Sequence, residues 1–163
     1  MPQRKVNCCC RNHPRPIFCC QRLECSKNEV VNPVVQGSFG FFNNTSIATY
    51  SQNESIPLVA VMSQGAGVSS TSAGGVLLSA GTYQITYFAQ GRLLEDGEIS
   101  VGLRLNGQEI AGTRLVQSGQ SGEVKNLSQT VLFGIVEGSI LEIVDLGEQN
   151  ATFSLVSLYV VRV

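Results

Sequence analysis

Cys8, Cys9, Cys10, Cys19, Cys20 and Cys25 are the only cysteines in 163 residues, and the single histidine, His13, lies among them. Thiols so placed can bind a metal, cross-link within their own segment, or cross-link to another chain. Zinc modules pair their cysteines as C-x₂-C. Here the sulfurs sit on adjacent residues, whose side chains do not readily turn toward one ion, so a metal site assisted by His13 is the weaker alternative. Disulfides inside the segment would close short loops and stabilise by about 3 kcal/mol each on the chain-entropy model. They would order a small knot but join nothing. Disulfides between subunits would make an assembly resistant to dissociation. The sequence therefore assigns the six cysteines to intersubunit cross-links, mixed with some intrachain bonds.

No cysteine occurs in the 138 residues after Cys25. A chain of that length buries a sufficient core without covalent help. The expected organisation is a Cys-rich connector and linker over 1–37 and one globular domain over 38–163. His13-Pro14-Arg15-Pro16 excludes a long helix from the connector, because each proline fixes its backbone angle and removes a donor. Charge is uneven. Residues 1–30 hold six Lys/Arg and two Asp/Glu, and residues 31–163 hold five and ten. The basic arm lacks the aromatic platform that single-stranded nucleic acid would need, so no nucleic-acid partner is expected. No run approaches the roughly 20 apolar residues of a membrane span. Met1 to Asn12 is polar and reads as no signal peptide. Cysteine-rich composition without that signal implies late oxidation, after the producing cell lyses or exports the chain by another route, the alternative being thiols that stay reduced or bind metal.

From Phe39 onward the pattern is β. Short runs rich in Val, Ile, Thr, Tyr and Phe alternate with Gly, Asn and Ser clusters. Strands are predicted near 39–43, 46–50, 56–62, 66–70, 75–79, 82–90, 98–105, 108–116, 124–136, 139–146 and 151–162. Asn106-Gly107 is a strong two-residue hairpin signal. Glu95-Asp96-Gly97 and Glu137-Gly138-Ser139 read as turns. The whole is an all-β sandwich of about ten strands.

Two strands are apolar on both faces. In the last, Phe153, Leu155, Tyr159 and Val161 share one side, and Val156, Leu158 and Val160 the other. In the 124–136 strand, Val131, Phe133 and Ile135 alternate with Leu132 and Val136. A strand apolar on both faces is covered on both faces, and a two-layer sandwich supplies only one cover. The expectation is an oligomer interface at Val156, Leu158, Val160, Leu132 and Val136, with a covering loop as the alternative.

Four segments resemble one family. Leu78-Ser-Ala-Gly-Thr-Tyr-Gln-Ile-Thr-Tyr-Phe88 resembles the L-x-x-G-x-Y strand of C1q/TNF-like jelly rolls. The stretch from Gly97 to Gly112, containing Leu103-Arg-Leu-Asn-Gly107, is similar to the L-x-L-N-G hairpin that follows it. Val136-Glu-Gly-Ser-Ile-Leu-Glu-Ile143 resembles the next turn, with Ser139 where aspartate is usual, and Ala151 to Val163 resembles the terminal strand. The order is the family's own over residues 37–163. The resemblance implies a jelly roll and a compact homotrimer, with the sheet of first and last strands facing the threefold axis. It is nearest to bacterial spore-surface heads of collagen-like proteins, yet no Gly-X-Y repeat precedes the domain. That departure favours a self-assembling appendage subunit with a Cys-rich N-terminal connector.

Little else suggests chemistry. His13 lies outside the β domain, so a Ser-His-Asp triad is not expected. HExxH and phosphate-cradling loops are absent. Glu95, Asp96 and Glu98 could bind Ca²⁺ through oxygens, or simply form a solvated turn. The expectation is therefore no enzyme and no cofactor. The leading reading is a structural subunit that trimerises and self-assembles, with itself and other spore-surface proteins as partners. The alternative is a trimeric adhesion head anchored by its arm.

Overall fold

The computed structural model describes residues 37–163. Cys8, Cys9, Cys10, Cys19, Cys20 and Cys25, and the connector assigned to 1–37 apart from Gly37, lie outside the described residues. Within these residues every regular element is a strand. In chain order they are β1 (Phe39–Asn44), β2 (Ala48–Tyr50), β3 (Ser55–Ile56), β4 (Val59–Gln64), β5 (Val68–Ser70), β6 (Val76–Leu78) and β7 (Gly81–Leu93). Then follow β8 (Gly97–Leu105), β9 (Gln108–Glu109), β10 (Leu115–Gly119), β11 (Val124–Ile135), β12 (Ser139–Asp145) and β13 (Ala151–Arg162).

They form two antiparallel sheets. The first has the order β11-β7-β13-β1-β4, with β2 also on β13; the second has β10-β8-β12-β6-β5, with β3 on β12 and β9 on β8. First and last long strands are thus neighbours, as the resemblance implied. β7 is the spine of the first sheet, paired along its length with β11 from Gly81↔Ile135 to Arg92↔Val124 and with β13 from Tyr83↔Arg162 to Leu93↔Ala151.

The core lies between the sheets. From β7 it takes Tyr83, Ile85, Tyr87 and Ala89; from β8, Ile99, Val101 and Leu103; from β12, Leu141 and Ile143. Two inward tyrosines keep their hydroxyls satisfied. Tyr83 Oη donates to the carbonyls of Gly67 and Ser79, at 3.0 Å to each, and Tyr87 Oη reaches the Thr113 carbonyl and Gln129 Oε1. The tyrosines therefore tie loops to the spine as well as filling volume.

Two predicted runs divide, for local reasons. The run 56–62 becomes β3 and β4, because Pro57 lacks a ladder donor and the chain crosses there from the second sheet to the first. The run 108–116 becomes β9 and β10. Gly112, at φ +79°, turns the backbone, and Thr113 Oγ1 bonds the Ile110 carbonyl at 2.7 Å. The hairpin at Asn106-Gly107 forms with both residues left-handed, at φ 49° and 80°, as a type I′ turn requires.

The last strand corrects the interface assignment. Val156, Leu158 and Val160 are at most 1% exposed and belong to the core of a single chain. They cannot be the outward, trimer-facing set. The cause is a register shift between Phe153 and Leu155: Phe153 pairs with Gly91 and Leu155 with Gln90, leaving Ser154 as an extra residue. Phe153 therefore shares the inward side with Val156, although strict alternation places it with Leu155. A Cβ at Gly91 would lie 2.3 Å from Ile99 Cδ1 and 3.0 Å from Phe153 Cδ1, so the bare backbone there is what lets Phe153 close the core.

Leu158→Ala is accordingly expected to destabilise the folded chain by about 2–5 kcal/mol, the usual range for a buried leucine truncation. The urea midpoint at fixed subunit concentration reads the loss.

Candidate functional site

With Val156, Leu158 and Val160 turned inward, β13 presents Leu155, Ser157, Tyr159 and Val161 outward. The pairings extend these into rows across the first sheet. Tyr159 lies opposite Phe41, which lies opposite Met62, and on its other side opposite Thr86 and then Thr130. Val161 lies between Phe39 and Gln84, with Leu132 beyond Gln84. Ser157 lies between Asn43 and Phe88. The apolar residues adjoin over β4, β1 and β13, as Met62, Phe41, Phe39, Tyr159 and Val161, while Gln84, Thr86 and Thr130 separate them from Leu132, and Ser157 and Ser128 flank Phe88. Met62 is 55% exposed, Tyr159 44% and Leu132 65%. Phe39, Phe41, Phe88, Leu155 and Val161 are half-buried.

Toward the far end of β7 the same face becomes polar but remains uncharged up to Arg92. Thr86 and Thr130 share a hydrogen bond at 2.8 Å, Gln90 Nε2 donates to Asn126 Oδ1 at 3.0 Å, and Ser154 Oγ donates to Gln90 Oε1 at 3.0 Å. Internally bonded amides and hydroxyls ask little of solvent, so burying this region costs less than burying free polar groups.

Of the five expected interface residues, the structure leaves Leu132 on the outward face. Val136, 94% exposed, lies past the end of β11 in the turn to β12, off the face. Sequence reasoning missed Phe39, Phe41, Met62 and Phe88. The alternation Phe39-Gly40-Phe41 was a usable signal, but which parity faces outward depends on Phe42 filling the core.

No protein-family model matches the sequence, and no curated protein matches it either. Among solved structures the chain is similar to murine APRIL at pH 8.5, with 16% identity and a TM-score of 0.62 over 78% of this chain and 100% of that one. It is also similar to Eiger TNF from S. frugiperda, at 12% identity and a TM-score of 0.60 over 78% and 91%. The globular domain of zebrafish complement 1qA protein follows at 12% identity and a TM-score of 0.51 over 77% and 94%. The fold is the C1q/TNF-like jelly roll. At these identities the likeness is one of fold.

The C1q/TNF-like sandwich has two unlike ends. Gly81, Ile135, Arg162 and the start of β1 share one end, where the described chain begins. The other end carries the β7–β8, β10–β11 and β12–β13 loops, with Glu95, Asp96, Glu98, Glu123 and Glu148. The three carboxylates weighed for Ca²⁺ go separate ways. Asp96 Oδ1 accepts from the Ser121 amide at 2.7 Å, and Glu98 Oε1 accepts from Ser118 Oγ at 3.1 Å. Among the described residues no three His, Cys, Asp or Glu side chains converge on a metal position. No helix among them is long and apolar enough to cross a membrane.

One acid of this jelly roll is deeply buried. Asp145, at the end of β12, is 0% exposed; its Oδ1 accepts from the Gly147 amide at 2.9 Å, and its Oδ2 has no partner. Desolvation pushes its pKa up to about 7; the Gly147 hydrogen bond opposes the rise and the charge of Glu54 adds to it. The folded state therefore holds this proton more tightly than the unfolded chain, where aspartate titrates near 3.9. Its contribution to stability is full below about pH 4 and is lost as pH rises to about 7, at up to about 1.4 kcal/mol per pH unit. Asp145→Asn is expected to remove that slope. Urea midpoints at several pH values across the window, for the chain and the variant, read it directly.

Proposed function

We propose that the protein is a structural subunit that trimerises through the outer face of its first sheet and polymerises through its arms. The product is a disulfide-cross-linked extracellular fibre or spore-surface appendage. The single observation that carries the trimer is the apolar patch of Met62, Phe41, Phe39, Tyr159 and Val161 on β4, β1 and β13, with Phe88 and Leu132 set apart on the same face. Isolated exposed hydrophobics are ordinary on a monomer, but a contiguous apolar patch rimmed by polar residues marks an association surface. It lies on the sheet of first and last strands, which the C1q/TNF-like resemblance turns toward a threefold axis.

Polymerisation is supported by sequence. Six thiols and six cations occupy a segment joined directly to the sandwich, without a stalk. Trimerisation closes on itself. An arm that bonds a neighbouring trimer makes a heterologous contact that need not close, and repetition then gives a fibre. The cysteines would lock a register that non-covalent contacts have chosen. Nothing in this reading requires catalysis. Among the described residues Tyr87, pushed up to about 12 by burial, and Asp145, buried beneath a loop, are displaced in ionisation without being placed to meet a substrate.

Three measurements test it. Light scattering on the reduced chain is expected to give three subunits. Tyr159→Glu is expected to give monomer that still unfolds cooperatively, because the charge would be buried unpaired only in the trimer, at a cost of several kcal/mol. A trimer that tolerates this charge would move the interface elsewhere. After oxidation, boiling in detergent without reductant should leave ladders or material too large to enter a gel, and reductant should return one 17.5 kDa band. Negative-stain images of the oxidised chain should show fibres. Discrete trimers would instead favour an adhesion head.

A further inference from the structure

Among the described residues, every cation but one is engaged. Arg104 donates to the Asn53 carbonyl at 3.2 Å and to Asn53 Oδ1 at 3.1 Å. Arg114 donates to Ser100 Oγ and to the Leu146 carbonyl, at 3.1 Å each. Arg162 donates to the Ala80 carbonyl at 2.8 Å, and Lys125 pairs with Glu123 at 2.7 Å. Arg92 has neither a hydrogen bond nor an ion pair among these residues.

Arg92 stands on the outward side of β7, in a row that runs Val124, Arg92, Thr152, Thr49 across β11, β7, β13 and β2. The row does not answer the guanidinium. Thr49 and Thr152 bond each other at 2.9 Å, and Ser154 Oγ donates to Gln90 Oε1. Two exposed aliphatic side chains, Ile47 and Val124, flank it. Together with Thr152 and Ser154 they line a groove of about 340 Å³. A guanidinium seats a carboxylate through two parallel N–H···O bonds. Apolar walls gain from cover in proportion to the area covered. The groove therefore fits a carboxylate with an apolar neighbour.

The same end of the molecule presents that pair. Leu94 and Glu95 follow β7 directly, and both are exposed. Their loop is held from behind. Ser121 Oγ donates to the Leu94 carbonyl at 2.8 Å, and the Ser121 amide donates to Asp96 Oδ1 at 2.7 Å. A loop already fixed loses little freedom on binding. Within one chain Glu95 makes no ion pair with Arg92, although only three residues separate them. Glu148 is exposed at the same end, but Gly147 and Gln149 flank it and no aliphatic side chain accompanies it.

We infer that the groove between Ile47 and Val124 receives Leu94 and Glu95 of a neighbouring copy, with the neighbour's carboxylate on the Arg92 guanidinium. The inference deepens the trimer reading and rests on it. Rotation about an axis along the strands carries each residue to the same height on the next copy. A groove and a loop at one end can therefore meet, and three equal contacts close the ring. Arg92 lies six residues along β7 from Thr86, the residue opposite Tyr159, or roughly 20 Å at the rise of a strand. The contact is thus a second anchor, remote from the apolar patch. Apolar cover is indifferent to orientation, whereas a charge pair fixes register.

The test is sedimentation of the full chain under reductant, over a range of concentration. R92E and E95R are each expected to raise the concentration at which the trimer dissociates by at least about tenfold. R92E/E95R, which exchanges the charges, is expected to return it to within about threefold of wild type, the signature of direct coupling. E148R should leave it unchanged. R92Q shows the same direction of change should R92E fold poorly. A trimer indifferent to both reversals, or a double variant no tighter than the weaker single one, overturns the contact and leaves the trimer standing. Equal weakening by E148R would show a diffuse charge effect and also overturn it. So would a trimer indifferent to R92E whose groove takes up hexanoate saturably, which would give the groove to a small carboxylate. Wild type that stays monomeric at every concentration removes trimer and contact together.

Discussion

β7 is paired on both edges and buried along its inward face, and most of the fold follows from that. Its inward residues Tyr83, Ile85, Tyr87 and Ala89 are wholly buried against the second sheet. Its outward residues are Thr82, Gln84, Thr86, Phe88, Gln90 and Arg92, with Phe88 paired to Ser157 on β13 and Ser128 on β11. One sandwich covers the inward face and leaves the outward one open. Hydrophobic burial is proportional to area and indifferent to which chain supplies the cover, which is why the proposed trimer uses that open face. The inward tyrosines make the spine costly to disturb, since their hydroxyls anchor the loops around Gly67 and Thr113.

The two ends of β7 are chemically distinct, and that asymmetry matters for assembly. The strand direction carries the chain from the exit end, beside Arg162, to loops dense in carboxylates. A closed trimer about an axis along the strands would keep all three acidic ends on one side and all three exits on the other. The basic connector and the acidic loops would then be complementary along the axis and repulsive between like ends. In the proposed polymer, polarity of this kind would favour head-to-tail contacts over closed pairs of trimers. The low charge of the sandwich flanks fits the same picture, because few ions must be desolvated when the flanks are covered.

Asp145 is the place where the fold spends stability. A carboxyl with a buried, unpartnered oxygen sits at the end of a strand otherwise committed to Leu141 and Ile143, and only the Gly147 amide compensates it. Its raised pKa makes this end of the sandwich responsive to pH, and its hydrogen bond from the Gly147 amide ties the β12–β13 loop to the end of the strand.

Local signals in the sequence determined the all-β class, most of the strand runs and the hairpin at Asn106-Gly107, because β alternation and left-handed turn residues are local; the neighbouring of first and last strands came from the family resemblance. The sequence also showed that the last strand is apolar on both sides. It did not determine which side is which. Alternation has a period of two, so a single extra residue exchanges the faces, and Ser154 is that residue. No local feature of Phe153-Ser154-Leu155 announces the shift. It arises because Gly91 on the adjacent strand admits the Phe153 ring into the core, a contact between residues 62 positions apart in the chain. The outward apolar set has the same origin: Phe41, Tyr159, Phe88 and Leu132 are scattered in sequence, and only the pairing of β1, β13, β7 and β11 brings them onto one surface.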